Sequence, residues 1–257
     1  MDLQLSGKVG IVTGASRGIG RAIAETLAME GMRLTLVARS EDQLEDLARN
    51  VGQPSLVQAM DLSQPAAPAA VVAATIERFG RLDVLVNNAG ATVRGDFLTL
   101  SEANWSDGFG LKFFGAMRCC QAAWKHLQAT KGSIINIVGI GGRTGSAEFA
   151  IGGAVNAALL NLTKVLADRG VTDGVRVNAI NPGAIVTDRL QTRIDRLAAE
   201  KGIGESTAAA DLAQQMRIAR FGQPAEIARV VAFLASSNAA YCQGAILDVD
   251  GGQTRTL

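Results

Sequence analysis

The residues with the most specific chemistry in this chain form one short turn, Thr13-Gly14-Ala15-Ser16-Arg17-Gly18-Ile19-Gly20. It follows the apolar run Val9 to Val12 and opens the helix-prone stretch Arg21 to Glu30, so it reads as strand, turn, helix. Gly14 permits a tight turn, Gly18 lets backbone N–H groups come close to a diphosphate, and Gly20 lets the helix lie against its strand. A diphosphate then rests on a helix N-terminus, where unpaired N–H groups and the macrodipole favour negative charge. The chemistry is that of holding a dinucleotide. The spacing, G-x-x-x-G-x-G, is one residue looser than the common fingerprint, and by itself it also suits a glycine-rich surface turn.

Other reactive residue types are sparse. His126 has no Cys, His or carboxylate cluster around it and reads as a packed or solvated side chain. The three cysteines are the neighbours Cys119 and Cys120 and the distant Cys242, a pattern that matches neither a disulfide framework nor zinc-ligand spacing. No metal site is expected, and the thiols read as reduced and cytoplasmic. The 25 basic and 24 acidic residues leave a formal charge of +1 without long like-charged blocks, which argues against a basic face for nucleic acid or an anionic membrane. Small-molecule chemistry is the better expectation. Met1-Asp2-Leu3-Gln4 lacks the basic start and apolar core of a signal peptide, and no run is expected to approach the length of a membrane span.

The turn has to be positioned by a framework, and 257 residues with 48% hydrophobic side chains suffice for one large domain, residues 1–257. Val9 to Val12, Leu34 to Ala38, Leu56 to Met60, Val84 to Val86, Ile134 to Val138, Val175 to Ile180 and Ala245 to Val249 are short, mostly β-branched runs that read as strands. Between most of them lie alanine- and leucine-rich stretches with helical spacing, such as Glu41 to Asn50 and Pro65 to Phe79. Alternating strands and helices predict an α/β fold: a doubly wound, Rossmann-type parallel seven-stranded sheet with helices on both faces. Thr187 to Met216 is helix-prone, polar and interrupted by Gly202 and Gly204, which suggests a helical lid that carries no usable chemistry of its own.

Taken together, these landmarks resemble the short-chain dehydrogenase/reductase family across nearly the whole chain. Thr13 to Gly20 resembles the family's glycine turn, Asp61-Leu62 its adenine contact, and Asn87-Asn88-Ala89-Gly90 the signature beside the cofactor. Val177-Asn178-Ala179-Ile180-Asn181-Pro182-Gly183, followed by Ile185 and Thr187, resembles the segment that contacts nicotinamide, and Asp248-Val249-Asp250-Gly251-Gly252 resembles the terminal strand and turn. The resemblance implies an oxidoreductase whose cofactor touches Gly14, Ser16, Arg17, Gly18, Ile19, Gly20, Arg39, Asp61, Leu62, Asn88, Ala89, Gly90, Pro182, Gly183, Ile185 and Thr187. A member that prefers the unphosphorylated dinucleotide usually ends its second strand with a carboxylate for the ribose diol. This strand ends Val37-Ala38-Arg39-Ser40, and Arg39 with Arg17 can instead hold a 2′-phosphate, so NADP(H) rather than NAD(H) is expected unless both arginines are merely solvated.

The family's proton chemistry uses a tyrosine, a lysine four residues later, a serine after the preceding strand and an asparagine on the long helix. Aligned by the strongest local matches, Gly139 stands at the serine, Gly152 at the tyrosine, Asn156 at the lysine and Lys112, seven residues beyond Trp105, at the asparagine. The only tyrosine, Tyr241, falls near the last strand. Loss of general acid–base assistance, worth about 10²- to 10⁴-fold, implies hydride transfer that is non-standard or very weak. Asparagine and lysine nevertheless exchange places, so Lys112 can reach the same polar pocket as an acid of lowered pKa or as an anion or ribose contact, or else can snorkel to solvent. In the loop Gly139 to Ala150, Arg143 can pair an anion, Ser146 or Thr144 can replace the lost hydroxyl and Glu148 can take a proton. Arg94 can also face the pocket, and each is alternatively a solvated loop residue. Two functions follow: an NADP(H)-dependent oxidoreductase with an unusual proton source, and a catalytically inactive NADP(H)- or metabolite-binding protein with a regulatory or subunit role. The expected ligand is a small molecule, with no nucleic acid or membrane partner. The small residues Gly152, Gly153, Ala154, Ala157 and Ala158 suit a self-associating helix, and the family commonly forms dimers and tetramers, so a homotetramer is expected.

Overall fold

β-branched side chains fit a pleated, buried surface, and each such run forms a strand in the computed structural model, which describes residues 2–255. Met1, Thr256 and Leu257 lie outside the described residues. The strands are β1 (Val9–Thr13), β2 (Arg33–Ala38), β3 (Ser55–Ala59), β4 (Val84–Asn87), β5 (Ser133–Ile137), β6 (Arg176–Pro182) and β7 (Ile246–Val249). All pair in parallel, in the order β3-β2-β1-β4-β5-β6-β7. The doubly wound sheet expected from the sequence is therefore the one observed.

Because successive strand residues point to opposite faces, the sheet builds two cores. Val12, Leu34, Leu36, Val86 and Ile135 pack on one side with Ile23 and Leu27 of α1 (Gly18–Met29) and Leu44 and Leu47 of α2 (Glu41–Asn50). Ile11, Val37, Leu85 and Ile134 pack on the other with Val71 and Val72 of α3 (Ala67–Phe79). Each fully buried leucine contributes roughly 1.5–3 kcal/mol. Between α3 and β5, α4 (Glu102–Phe109) starts at a capping box between Ser101 and Asn104 and ends in a π-helical turn, Gly110–Gly115, that leads into α5 (Ala116–Thr130). Such π-turns often accompany functional sites, and Lys112 sits within this one.

One expectation needs correction. The segment Ala147–Asp173, which contains α6 (Ala150–Asp173), is long and apolar enough by length and composition to cross a membrane. Its periodic pattern, with Ile151, Val155, Leu159, Leu160 and Ala167 buried, is that of a helix lying along the sheet, and the glycines and polar residues between them hide the apolarity from a search for continuous runs. The helical segment after β6 forms α7 (Asp188–Lys201) and α8 (Glu205–Gln215), separated at Gly202, which adopts φ +63°. They bury their own cluster of Leu190, Ile194, Ala208 and Leu212. The last helix, α9 (Pro224–Ala235), packs Ile227 and Val231 into the α1 side of the sheet.

The chain crosses from β3 to the far side of β1 before forming β4, which leaves a crevice at the carboxyl ends of β1 and β4. Open α/β sheets bind ligands at such switch points. Here the crevice is bolted by Thr13, whose hydroxyl accepts hydrogen bonds from the Asn88 and Ala89 N–H groups at 2.9 and 3.0 Å. Asn88 Nδ2 in turn donates to the carbonyls of Thr13 and Gly14 at 3.0 and 3.2 Å.

Candidate functional site

The glycine turn, the Asn88–Gly90 segment and the Pro182–Thr187 segment converge on this crevice. Gly14 and Gly18 adopt φ +66° and +56°, a region that favours glycine. A Cβ on Gly20 would lie 2.0 Å from the Gly14 carbonyl oxygen, so only glycine lets α1 come this close to the turn. The start of α1 has no side-chain cap and no acidic residue in its first turn, so its N–H groups are left for an anion. A Cβ on Gly18 would meet the Thr187 methyl at 3.3 Å, and Arg17 reaches the exposed Asp188 at 3.2 Å, so the turn and the start of α7 face each other across the crevice. Ser16 and Ile19 are half-buried, Leu62, Pro182 and Ile185 are buried, and Arg39 is exposed at the end of β2. Asp61 accepts from the Ser63 N–H at 3.0 Å, and this bond, aided by the nearby Arg39 charge, holds its carboxyl below the usual range. The Gly183 N–H donates to the Val249 carbonyl at the end of β7 at 3.2 Å, and Asp250 stands where a Gly183 side chain would be.

Beside the crevice, Lys112 and Asn156 meet. Lys112 Nζ donates to Asn156 Oδ1 and to the Val138 carbonyl, both at 2.6 Å, so residues 44 positions apart share one polar pocket. The lysine stem passes over Gly90, where a Cβ would lie 2.9 Å from the Lys112 methylenes. Burial, and secondarily the Arg189 charge, bring the Lys112 ammonium down to about 7. An ammonium has three N–H donors. Two are taken by Val138 and Asn156, and one proton remains to give away. Gly139 adopts φ +122°, which a serine at this position would find strained, and Asn156 Nδ2 donates to its carbonyl at 3.4 Å.

The space above Gly152 is occupied by Phe149. A Cβ on Gly152 would lie 2.0 Å from the Phe149 ring, and the Arg94 guanidinium covers that ring at 4.2 Å from its centroid. Gly152→Ala in an open helix would gain about 1 kcal/mol; here it is expected to cost about 1–3 kcal/mol, because the ring must be displaced. In a Phe149→Ala background the same substitution should become stabilising, and thermal unfolding of the single and double variants reads this reversal of sign.

The structure divides the loop residues that the sequence grouped. Arg94 and Glu148 line a cavity of about 420 Å³ together with Arg196. Arg143, Thr144 and Ser146 line a different cavity of about 330 Å³ against Gly153 and Ala157 of α6. Arg143 meets a carboxylate of this chain, Asp248 at 2.6 Å, and Asp248 also accepts from Asn181 Nδ2 at 2.8 Å. Tyr241 is fully exposed in the loop before β7, close to where Gly244 bonds the Val177 carbonyl near the start of β6. It therefore lies at the amino end of the sheet, opposite the crevice.

The model for the family described as Enoyl-(Acyl carrier protein) reductase matches residues 14–254. A short-chain dehydrogenase/reductase variant from Serratia marcescens is 33% identical and superimposes with a TM-score of 0.87, with 97% of this chain and 98% of that chain covered. The chain belongs to the short-chain dehydrogenase/reductase family. Within that family it is 37% identical over 251 residues to the 3-oxoacyl-[acyl-carrier-protein] reductase FabG of Vibrio cholerae, covering 97% of this chain and 98% of the relative. The L-sorbose reductase of Gluconobacter frateurii, solved in complex with NADPH and L-sorbose, is 35% identical with a TM-score of 0.96, and all of both chains is covered.

Sequence reasoning about this short-chain dehydrogenase/reductase missed Phe149 and the arginines of α7. Nothing local marks Phe149, because its importance is the missing side chain at position 152. Arg189, Arg193 and Arg196 were legible: their spacing places them on one face of a helix. Residues 187–216 were expected to carry no usable chemistry, and the structure adds that the α7 arginines lie close enough to Arg94 to affect its charge. Helical periodicity displays the face, and only the packing of α7 shows what it confronts.

Proposed function

We propose that this protein is an NADP(H)-binding oxidoreductase that reduces a carbonyl compound with Lys112 in place of the family's tyrosine as proton donor. The observation that carries the reading is the Lys112 ammonium itself, partly buried, held by Val138 and Asn156 and brought to about 7. An acid works best when its pKa lies near the working pH. NADP(H), when bound, would supply or accept the hydride. The uncapped start of α1 suits its diphosphate, Arg17 and Arg39 suit its 2′-phosphate, and Asn88–Gly90 and Pro182–Thr187 border the crevice where the nicotinamide end would lie. The NADPH held by the L-sorbose reductase supports the choice of cofactor. In the reduction, Lys112 Nζ passes its free proton to the carbonyl oxygen as the carbonyl carbon takes hydride; the resulting neutral amine keeps its bonds to Val138 and Asn156 and recovers a proton from solvent. Asn156 and Val138 thus hold the proton donor in place, and α7 and α8 act as a lid over it.

A second reading is favoured by Phe149, which fills the space above Gly152 where the resemblance puts the tyrosine. On that reading the protein binds NADP(H) or a metabolite without turnover and serves a regulatory or subunit role. NADPH fluorescence titration followed by a screen of carbonyl substrates separates the two. Micromolar-range binding with carbonyl-dependent NADPH oxidation is expected; binding without oxidation of any carbonyl would favour the second reading, and no binding would overturn both. The same proposal includes a cytoplasmic setting, consistent with the buried free thiols of Cys119 and Cys120, and a homotetramer built through α5 and α6, where Phe114 in the π-helical turn before α5 and Val165 on α6 are exposed.

A further inference from the structure

Four arginines gather on one side of the proton-donating pocket. Arg94 lies in the loop after β4, and Arg189, Arg193 and Arg196 project from α7. Arg94 and Arg196 line the 420 Å³ cavity. Arg189 reaches back to the Gly90 carbonyl at 3.3 Å, next to the stem of Lys112. Burial and then the Arg193 charge, followed by those of Arg189 and Arg196, disfavour the Arg94 guanidinium against a partial offset from Glu148, and Arg193 is likewise disfavoured by burial and by Arg196 with Glu148 again opposing. Facing these cations are Glu148, also on the cavity wall, and Asp96, whose Oδ1 is already taken by the Leu98 N–H at 3.0 Å. Arg196 has an exposed partner in Glu200 at 3.4 Å, whereas among the described residues Arg94 and Arg193 meet no carboxylate within ion-pair distance. On the cavity wall itself Arg94 and Arg196 are matched in number by Asp96 and Glu148, and the excess of positive charge comes from Arg189 and Arg193 beside them, in a partly desolvated setting where like charges repel more strongly than in water.

The way Arg94 is held adds direction to this charge. Its guanidinium stacks on the Phe149 ring at 4.2 Å, and a stacked guanidinium keeps its in-plane N–H donors free for a carboxylate or phosphate. The loop is fixed beneath it, because the Gly95 N–H donates to the Glu148 carbonyl at 3.1 Å and so ties residues 94–96 to residues 147–149. The donors are thus presented from a loop tied to its neighbour rather than from a free surface side chain.

We propose that Arg94, Arg193 and Arg196 bind an oxyanion, a carboxylate or a phosphate, carried by the carbonyl compound that Lys112 protonates. The inference rests on the reductase reading and narrows its substrate class to anionic carbonyl compounds small enough for the cavity. Phe149 then has a positive role: it occupies the space above Gly152 and supports Arg94. The oxyanion also supplies the negative charge that the cluster lacks, and with Arg189 between the cluster and Lys112, it favours the protonated lysine that the reduction uses.

The test begins with binding alone. Malonate and inorganic phosphate are titrated separately by calorimetry into the protein saturated with NADPH, so that the crevice at α1 is not the site being filled. Binding of either is expected, weakened about tenfold or more in Arg193→Ala and further in the Arg94→Ala, Arg193→Ala double variant, and partly restored in Arg193→Lys, with NADPH affinity retained as the control for folding. Equal affinity in the wild type and the double variant, or binding of neither anion, overturns the proposal. A second arm compares an oxo acid with its neutral amide as substrates. A lower KM for the acid that the double variant loses supports the proposal, and equal KM values in the wild type overturn it. Failure of anion binding while NADPH binds and a neutral carbonyl is reduced refutes this inference alone; anion binding that needs the arginines, without turnover of any carbonyl, refutes hydride transfer and leaves the anion site standing.

Discussion

Lys112→Met is expected to lower carbonyl reduction by about 10²- to 10⁴-fold, the range for loss of a general acid. Lys112→Arg should be as damaging although it keeps a positive charge, because a guanidinium does not release its proton near neutral pH. The pH profile identifies the group. In the wild type the reduction should be fastest below about 7, where Lys112 is protonated, and should fall tenfold per pH unit above that value as the ammonium is lost; the residual rate of Lys112→Met should lack this limb. Stability supplies an independent readout. The folded pKa is depressed from 10.5 to about 7, so between these values the unfolded chain binds a proton that the folded chain does not. Stability therefore rises with pH across that window and is lost as pH falls towards 7, and this contribution should vanish in Lys112→Met. Unchanged turnover and an unchanged pH profile in Lys112→Met would remove the lysine from the mechanism.

Arg39→Asp is expected to invert cofactor preference. Charge-assisted hydrogen bonds contribute about 1.5–3 kcal/mol, so losing the guanidinium should weaken NADPH roughly 10- to 100-fold, and like-charge repulsion from the new carboxylate should add to this. The same carboxylate can accept the ribose diol of NADH, whose affinity should rise. Arg17→Ala should have a smaller effect in the same direction, because Arg17 already shares its charge with Asp188 in an exposed pair that salt screens. Fluorescence titration with each dinucleotide checks both variants. An NADPH affinity unmoved by Arg39→Asp would mean that this arginine is only solvated surface.

Much of the framework was legible because it is written in short-range terms. Runs such as Ile134 to Val138 are strands wherever they are buried on both faces, and Glu41 to Asn50 forms a helix with the bounds its spacing suggests. The glycine turn was legible because backbone geometry, not partners, demands glycine at 14 and 18. The same short-range reasoning misjudged α6, whose apolar residues are spread over a helical face, and could not show that the arginines of α7 lie near Arg94.

By itself, the sequence determined the parallel α/β framework, the turn that suits a dinucleotide and the absence of a tyrosine at position 152. Each follows from local periodicity, from glycine's lack of a Cβ or from the identity of a single residue. Tertiary structure decided that Lys112 meets Asn156, that Phe149 fills the space over Gly152, that Arg143 is held by Asp248, and that α7 brings its arginines to Arg94. These contacts join residues distant in sequence, and their consequences depend on burial. An amine at position 112 has an ordinary proton affinity in an unfolded chain and a depressed one only after helix packing has removed its water.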